Sequence, residues 1–199
     1  YRKSVIQRPR RCGMHGAIIF SGQYGSTEQY SKWISEETGL PVFPIDDPHL
    51  DPASFDFLVL GSSVVFYKAT IRRWVKSKWS ALEGRPLILF TVSGAAAGPK
   101  LDAWVTNSFP PELLARMRRF ALRGRLRHED VGWWLRLMLR IGALMNRDPQ
   151  ARLDEMRGFD YMDRSSIEPI VRLIEQYKSE EGPTLAPVAS NIQPEHADA

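Results

Sequence analysis

At 199 residues, 43% hydrophobic and 25% charged, the chain has the length and composition of one globular domain with a substantial core. No apolar run reaches the roughly 18 residues that span a bilayer, and no apolar segment follows the basic N-terminus as it would in a secretory signal. The single cysteine, Cys12, excludes an internal disulfide and a thiolate metal cage. We therefore expect a cytoplasmic protein without a metal site.

The first part of the chain alternates short apolar runs with amphipathic stretches. Residues 17–21 (AIIFS) predict a buried strand. The spacing of apolar residues after it predicts a helix that begins at Ser26 and ends at Gly39. Residues 41–44 and 57–61 (FLVLG) predict the second and third strands.

The rest of the chain continues this alternation. Residues 87–92 (LILFTV) and 120–126 predict the fourth and fifth strands. Amphipathic spacing predicts helices in four further places: 71–82, 100–107, 111–117 and 166–178. Apolar strands that alternate with helices indicate an α/β fold with a doubly wound, five-stranded parallel sheet buried on both faces. We place this one domain at 15–180, with flexible tails at 1–14 and 181–199.

Ligands of a parallel sheet bind at the carboxyl ends of its strands, so the loops after the first, third and fourth strands form the candidate site. We expect all three loops to contact one cofactor. The predicted contacts are Ser21, Gly22, Gln23, Tyr24, Gly25, Ser26 and Thr27 in the first loop, Ser62, Ser63, Val64, Val65, Phe66 and Tyr67 in the second, and Ser93, Gly94 and Ala95 in the third.

The first of these loops has the chemistry of a phosphate site. Gly22 and Gly25 allow the backbone to bring amide N–H groups to an anion, and the following helix start adds unpaired donors and a positive dipole. The loop has hydroxyl side chains but no lysine, so it is not a Walker A loop, and its chemistry suits a monophosphate. The alternative is an ordinary glycine turn in which Ser26 caps the helix and Gln29 completes a capping box.

In this loop and in the order of its elements, the chain resembles the flavodoxin family, whose phosphate loop has the pattern T/S-x-T-G-x-T. Gly25 and Thr27 match the second half of that pattern. Gln23 and Tyr24 stand where classical flavodoxins have hydroxyl residues. The resemblance implies a flavodoxin-like fold with FMN as the cofactor.

The chain is also similar to one branch of that group, the bacterial menaquinone-dependent protoporphyrinogen oxidases, which carry a long insertion before the last helix. Residues 61–67 (GSSVVFY) are similar to their G-A/S-S-I-R-Y-G, and residues 123–126 (RGRL) to their G-A-L-R. Residues 93–99 (SGAAAGP) depart from the branch, which has bulkier and more basic residues there. This resemblance implies an FMN enzyme that dehydrogenates protoporphyrinogen IX or a similar substrate and passes electrons to a quinone.

Positive charge is concentrated in one part of the chain. The formal net charge is +4 at pH 7, yet residues 116–147 alone hold nine arginines against Glu129 and Asp130. Such a patch suits an anionic partner. Under the resemblance, Arg123, Arg125 and Arg127 are candidates for binding the propionates of the substrate. Nucleic acid is disfavoured as the partner, because no recognition helix or RNA-binding motif accompanies the arginines.

The insertion, at about 128–150, contains a segment, 131–146, that predicts a helix of unusual composition. Its arginines fall within one narrow arc, and almost all the remaining positions are apolar. Such a helix is buried in the core, packs in a dimer interface, or lies in a membrane interface with its arginines toward the headgroups. The last arrangement would bring a quinone-using enzyme to the inner face of the cell membrane.

No side chain stands out as a catalytic group. His128 and Tyr67 are candidates for a general base, but a lone histidine in a basic segment is more often a surface group. We therefore assign no catalytic residue. The alternative function is a flavodoxin-type FMN electron carrier without a substrate of its own, although such carriers are usually acidic and this chain is basic.

Overall fold

The computed structural model describes residues 13–126 and 158–179. The predicted insertion at 128–150 lies outside the described residues, together with its helix at 131–146, Arg127 and His128. Nearly all of the two predicted tails lies outside them too. Among the residues that are described, no helix has the length and apolar character needed to cross a membrane.

Five parallel strands form the central sheet. They are β1 (Gly16–Ser21), β2 (Val42–Pro44), β3 (Phe57–Val65), β5 (Leu87–Ser93) and β6 (Met117–Arg123), and a two-residue strand, β4 (Lys68–Ala69), pairs antiparallel with β3. Across the sheet the order is β2-β1-β3-β5-β6. The order reverses between β1 and β3, which confirms the predicted flavodoxin-like α/β fold with a doubly wound five-stranded sheet.

Helices cover both faces of this sheet. They are α1 (Ser26–Thr38), α2 (Arg72–Ser77), α3 (Trp79–Leu82), α4 (Pro99–Thr106), α5 (Pro111–Leu114) and α6 (Glu168–Lys178). Short 3-10 helices, Pro52–Ser54 and Arg164–Ile167, precede β3 and α6. Helices α1 and α6 pack on one face of the sheet, and α2 to α5 pack on the other.

The central strands are buried on both faces, which explains their continuous apolar runs. In β5, Leu87 and Leu89 pack with the cluster beneath α2 to α5. Ile88 and Phe90, which alternate with them, pack with the cluster beneath α1 and α6. Because neither face meets water, the strand has no polar alternation, as is usual for parallel sheets with helices on both sides.

The predicted fifth strand, 120–126, is wrong in its bounds. Strand β6 begins at Met117 and ends at Arg123. Gly124 separates it from β7 (Arg125–Leu126), which leaves the main sheet and pairs antiparallel with β8 (Phe159–Asp160). β6 therefore ends where the chain leaves the main sheet to pair with a strand from a distant part of the sequence. Local composition does not reveal that partner.

Two predicted helices also differ from the structure. The helix predicted over 111–117 ends at Leu114, because Met117 is already paired with Leu87 in the sheet. The helix predicted over 71–82 is two short helices, α2 and α3, which are separated at Lys78. Lys78 has a φ of −104° and a ψ of 15°, outside the helical region, so the apolar spacing continues through a break in the backbone.

Candidate functional site

The carboxyl ends of β1, β3 and β5 lie side by side. Ser21 pairs with Ser62, and Ser63 pairs with Val92. The hydroxyl of Thr70 donates to the Ser21 carbonyl over 2.9 Å and so ties the segment after β4 to the end of β1. The three predicted loops therefore meet at the point where the strand order reverses, the usual place for a ligand in such sheets.

The loop between β1 and α1 presents a row of unpaired backbone donors. Among the described residues, no group accepts a hydrogen bond from the backbone N–H groups of Gln23 to Glu28. The first helical hydrogen bond runs from the Gln29 N–H to the Gly25 carbonyl, over 2.9 Å. Free N–H groups before and within the first turn of a helix bind anions well, because the helix dipole adds to their partial positive charge.

Two glycines give this loop its shape. Gly25 has a φ of 79°, in the left-handed region that favours glycine, and it caps the N-terminus of α1. A Cβ added at Gly22 would lie 2.9 Å from Cβ of Thr27, closer than the two atoms can approach. The loop thus folds back on the start of α1 and forms a cradle that a side chain at position 22 would disturb.

The hydroxyl groups around this cradle bond mainly to the protein itself. Thr27 Oγ1 and Ser63 Oγ are buried and lie 2.8 Å apart. Ser26 Oγ accepts a hydrogen bond from the Arg125 N–H over 3.1 Å, and no side chain caps α1. The capping box suggested for Ser26 and Gln29 is therefore wrong, because Gly25 occupies the cap position and Ser26 joins α1 to β7.

The side chain of Tyr24 adds an unpaired hydroxyl to the same loop. Its oxygen is buried and has no hydrogen-bond partner among the described residues. Burial raises the pKa of Tyr24 above its ordinary value, because the phenolate would lose its hydration. At neutral pH the hydroxyl therefore keeps its proton and is free to donate to an anion. With the free amides and the glycine cradle, this orphaned donor fits the phosphate of FMN.

The second predicted loop is mostly strand. β3 continues to Val65 and forms a tight hairpin with β4, in which Val65 pairs with Lys68. Ser62 and Ser63 are buried within the sheet, and Ser63 accepts a backbone hydrogen bond from Thr70. The expectation of a free loop over 62–67 is therefore wrong, since only the hairpin tip, Phe66 and Tyr67, lies beyond the strands.

This hairpin tip is unusual in its backbone and in its exposure. Phe66 and Tyr67 have φ values of 48° and 63°, and their side chains are 65% and 66% exposed. Left-handed backbone costs a non-glycine residue roughly 1–2 kcal/mol, and such turns favour Asn-Gly. The Tyr67 ring packs against Trp104 of α4, with 4.9 Å between ring centroids. Two exposed aromatic rings on costly backbone beside the cradle indicate a functional role.

The third loop, which joins β5 to α4, has small side chains and external support. The Ser93 hydroxyl donates to the Ala95 carbonyl over 2.9 Å, and the Arg123 guanidinium donates to the Gly94 carbonyl over 3.0 Å. Sequence reasoning missed Phe159, which lies directly against Gly94. A local signal for that contact is absent from the sequence, because the two residues belong to distant segments.

Of the predicted substrate-binding arginines, Arg123 contacts this loop, whereas Arg125 lies in β7 and bonds to Ser26. The Arg123 guanidinium stacks on Tyr161, with Cζ 3.5 Å from the ring centroid. Nε of Arg125 is buried and has no hydrogen-bond partner within the described residues. Arg127 lies outside them. Their role in binding a substrate stays a prediction.

Family comparison agrees with the fold. A sequence model of the flavodoxin domain matches residues 17–152, which is more than half of the chain. The chain belongs to the flavodoxin domain family. This membership supports FMN as the cofactor, in agreement with the free amides of the cradle. A search of curated proteins finds no match to the chain.

Several solved structures resemble this one remotely. They include the Trp repressor binding protein from Bacillus subtilis (13% identity, TM-score 0.43, 71% of this chain and 94% of that one) and an FMN-dependent NADH-azoreductase from Bacillus anthracis str. Ames Ancestor in complex with FMN (8%, 0.44, 83% and 100%). A third is the NAD(P)H:quinone oxidoreductase from Methanothermobacter marburgensis (11%, 0.37, 73% and 96%). These similarities are too distant to say anything about activity.

Proposed function

We propose that the protein is an FMN-dependent oxidoreductase that dehydrogenates protoporphyrinogen IX or a similar anionic substrate and passes the electrons to a quinone at a membrane surface. The row of free backbone N–H groups from Gln23 to Glu28 carries the cofactor part of the proposal. The similarity of residues 61–67 and 123–126 to the protoporphyrinogen oxidase branch supports the choice of substrate.

Different described residues would contact the phosphate and the ring system of FMN. The amides of residues 23–28 and the Tyr24 hydroxyl would donate to the phosphate. The hairpin tip and the loop at 94–98 would lie on either side of the ring system and keep water away from it. When bound, FMN would supply the two-electron chemistry that amino-acid side chains lack.

The substrate and the acceptor would use other parts of the chain. Arg125 and Arg127 would pair with carboxylates of the substrate, since a guanidinium binds a carboxylate through two parallel hydrogen bonds. The segment 131–146 would rest on the membrane, from which the quinone enters. In each turnover the substrate would lose two hydrogen atoms, as two electrons and two protons, and the quinone would gain two electrons and two protons to become the quinol.

The first experiment tests the cofactor and the reaction together. Purified protein is loaded with FMN, then mixed anaerobically with protoporphyrinogen IX, and the flavin absorbance is followed. We expect bleaching by the substrate and recovery on addition of a menaquinone analogue. A protein that does not bind FMN would contradict the whole proposal. Flavin that dithionite bleaches but protoporphyrinogen does not would instead favour the electron carrier.

The second experiment tests the membrane contact. The full chain and a variant that lacks residues 132–146 are mixed with liposomes containing anionic lipid and sedimented. We expect the full chain to sediment with the liposomes and the deletion variant to remain in the supernatant with its FMN bound. Equal sedimentation of the two proteins would show that this segment does not mediate the contact.

A further inference from the structure

The loop at 94–98 between β5 and α4 has little means of holding its own position. Its sequence, GAAAG, contains no side chain larger than a methyl group. Glycine and alanine lose much backbone entropy on ordering and gain little packing in return. Apart from the hydrogen bond that the Ser93 hydroxyl donates to the Ala95 carbonyl, the contacts that fix this loop must therefore come from other elements.

Two contacts from other elements supply that support. Arg123, at the end of β6, donates from Nη2 to the Gly94 carbonyl over 3.0 Å. From another direction, the ring of Phe159 covers Gly94 so closely that an added Cβ would lie 2.5 Å from Cζ of Phe159. The loop is thus held at Gly94, by a hydrogen bond to its carbonyl and by the Phe159 ring packed against its Cα.

A third residue joins these two supports to each other. Tyr161 stacks on Phe159, with ring centroids 5.2 Å apart. The Arg123 guanidinium lies over the same Tyr161 ring, with Cζ 3.5 Å from the ring centroid. The Tyr161 N–H donates to the Gly124 carbonyl over 3.2 Å. Arg123, Phe159 and Tyr161 therefore form one packed unit, which we call the clamp.

The clamp is anchored to α1, the helix that begins at the phosphate cradle. The hydroxyl of Tyr30, a fully buried residue of α1, donates to the Arg123 carbonyl over 2.8 Å. The same oxygen accepts a hydrogen bond from the Asp163 N–H over 3.1 Å. Tyr30 thus connects the two chain segments that carry the clamp to the element that carries the phosphate site.

We propose that the clamp positions the loop at 94–98 against the flavin ring and so sets how tightly the ring is held, independently of the phosphate. This inference rests on the proposed FMN site. It makes Arg123 a positioning residue, in contrast to the substrate-binding role suggested by the sequence. It also explains how a loop with only glycine and alanine residues keeps its position.

The test compares FMN with riboflavin, which has the ring but not the phosphate. In Arg123→Met the loop loses its charge-assisted hydrogen bond and the stacked cation, so both ligands should bind more weakly by a similar factor of about ten. Gly22→Ala, which disturbs the cradle, should weaken FMN much more than riboflavin. Dissociation constants from quenching of flavin fluorescence measure both effects.

Arg119→Met is the matched control. Arg119 lies on the same edge strand and is exposed, and the substitution is identical. It should leave both dissociation constants unchanged. If Arg123→Met behaves like Arg119→Met, or if it weakens FMN but not riboflavin, the clamp does not position the ring and the inference is wrong.

A measurement on the FMN-free protein keeps the inference testable if the proposed function fails. Amide hydrogen exchange of a peptide covering 93–99 should be at least about tenfold faster in Arg123→Met than in Arg119→Met, since a released loop opens more often. Unchanged exchange would overturn the clamp even where FMN binds. If the wild-type protein binds no FMN but exchange is still faster in Arg123→Met than in Arg119→Met, the clamp stands and only the cofactor site is refuted.

Phe159 gives an independent route if Arg123→Met does not fold. Gly94→Ala should weaken both ligands, because the new methyl group collides with the Phe159 ring. Phe159→Leu should relieve that collision and restore part of the binding in the double variant. Additive losses in the double variant would contradict the contact on which the clamp depends.

Discussion

The phosphate cradle and the loop at 94–98 lie at the same edge of the sheet but owe their shapes to different causes. The backbone of the cradle takes its shape from Gly22, Gly25 and the first turn of α1, which are contiguous in the chain, while the hydroxyls of Ser26 and Thr27 tie it to β7 and β3. The loop at 94–98 is shaped from outside, by Arg123 and by the segment containing Phe159. One site therefore combines a part that folds locally with a part that depends on distant pairing.

This difference predicts how each part responds to change. A substitution in the cradle should affect phosphate binding and leave the rest of the fold intact. A substitution in the clamp or its anchor should affect folding and ring binding together, because the same contacts hold separate chain segments. Four substitutions follow in order of decreasing expected effect, and the first two each have a matched control variant.

The largest effect is expected from Gly22→Ala. The added methyl group would lie 2.9 Å from Cβ of the buried Thr27, so the loop must shift, and overpacking of this kind costs about 1–3 kcal/mol. FMN affinity should fall at least about tenfold. Isothermal titration of the FMN-free protein with FMN measures the change.

Gly16→Ala is the control at the opposite end of the same strand. Its methyl group would lie 2.2 Å from the ring of Phe57, far from the cradle. It should lower the free energy of unfolding without altering the ratio of FMN to riboflavin affinity. If the two glycine variants change that ratio equally, the cradle has no special role in phosphate binding.

Tyr30→Phe should produce the next largest effect. The substitution removes a hydroxyl that bonds to the Arg123 carbonyl and the Asp163 N–H, and leaving buried groups unpaired costs about 1–3 kcal/mol. Urea denaturation measures the loss in the free energy of unfolding. Tyr24→Phe is the matched control, because the Tyr24 hydroxyl has no partner in the described part of the chain.

In the FMN-free protein, Tyr24→Phe should therefore be neutral or slightly stabilising. It should still weaken FMN binding, because the phosphate loses a donor. A loss of stability equal to that of Tyr30→Phe would contradict the assignment of the two hydroxyls to different roles.

A double substitution at the hairpin tip should stabilise the protein. Replacing Phe66 with Asn and Tyr67 with Gly removes backbone strain and should raise the free energy of unfolding by about 1–2 kcal/mol. Flavin binding should weaken in the same variant, because the two exposed rings are lost. Thermal unfolding scans with and without FMN separate these effects. If the double variant changes neither the stability nor the affinity for flavin, the tip is neither strained nor functional.

The smallest expected effect is a dependence of the free energy of unfolding on pH, through Asp163, whose N–H donates to the Tyr30 hydroxyl. Hydrogen bonds from the Ser165 hydroxyl and N–H lower the pKa of Asp163 below its ordinary value of 3.8. The stability from this lowered pKa is therefore present above pH 3.8 and is lost as the pH falls through the lowered value. Asp163→Asn should be slightly less stable at neutral pH and should lack this acid transition, which urea denaturation between about pH 2 and 5 would detect.

Much of the fold was predictable because its signals are local. Apolar runs bounded by turns located β1, β3 and β5, and the alternation with helices indicated a parallel sheet buried on both faces. Helix α6 followed from helical spacing in the same way, and its Ile170 and Ile174 are buried. The cradle was predictable too, since glycine spacing after a strand and before a helix specifies a backbone shape.

The errors share one physical origin. The end of β6, the extension of β3 into a hairpin, and the break at Lys78 depend on which partners the backbone finds in space. Apolar spacing reports which face of an element is buried but not where its hydrogen bonding stops. For the same reason the true partner of Ser26 was missed, because Arg125 lies far from it in the chain.

The sequence by itself determined the layered α/β fold and the backbone shape of the lysine-free glycine loop after β1, because both follow from periodicity and glycine placement within short stretches. Only the tertiary structure decided how the other side of the site is built. Arg123 reads as a basic residue suited to an anion, yet it donates to Gly94 and stacks on Tyr161. Such a role depends on contacts with residues that lie far from Arg123 on either side of it in the chain, and only folding brings them together.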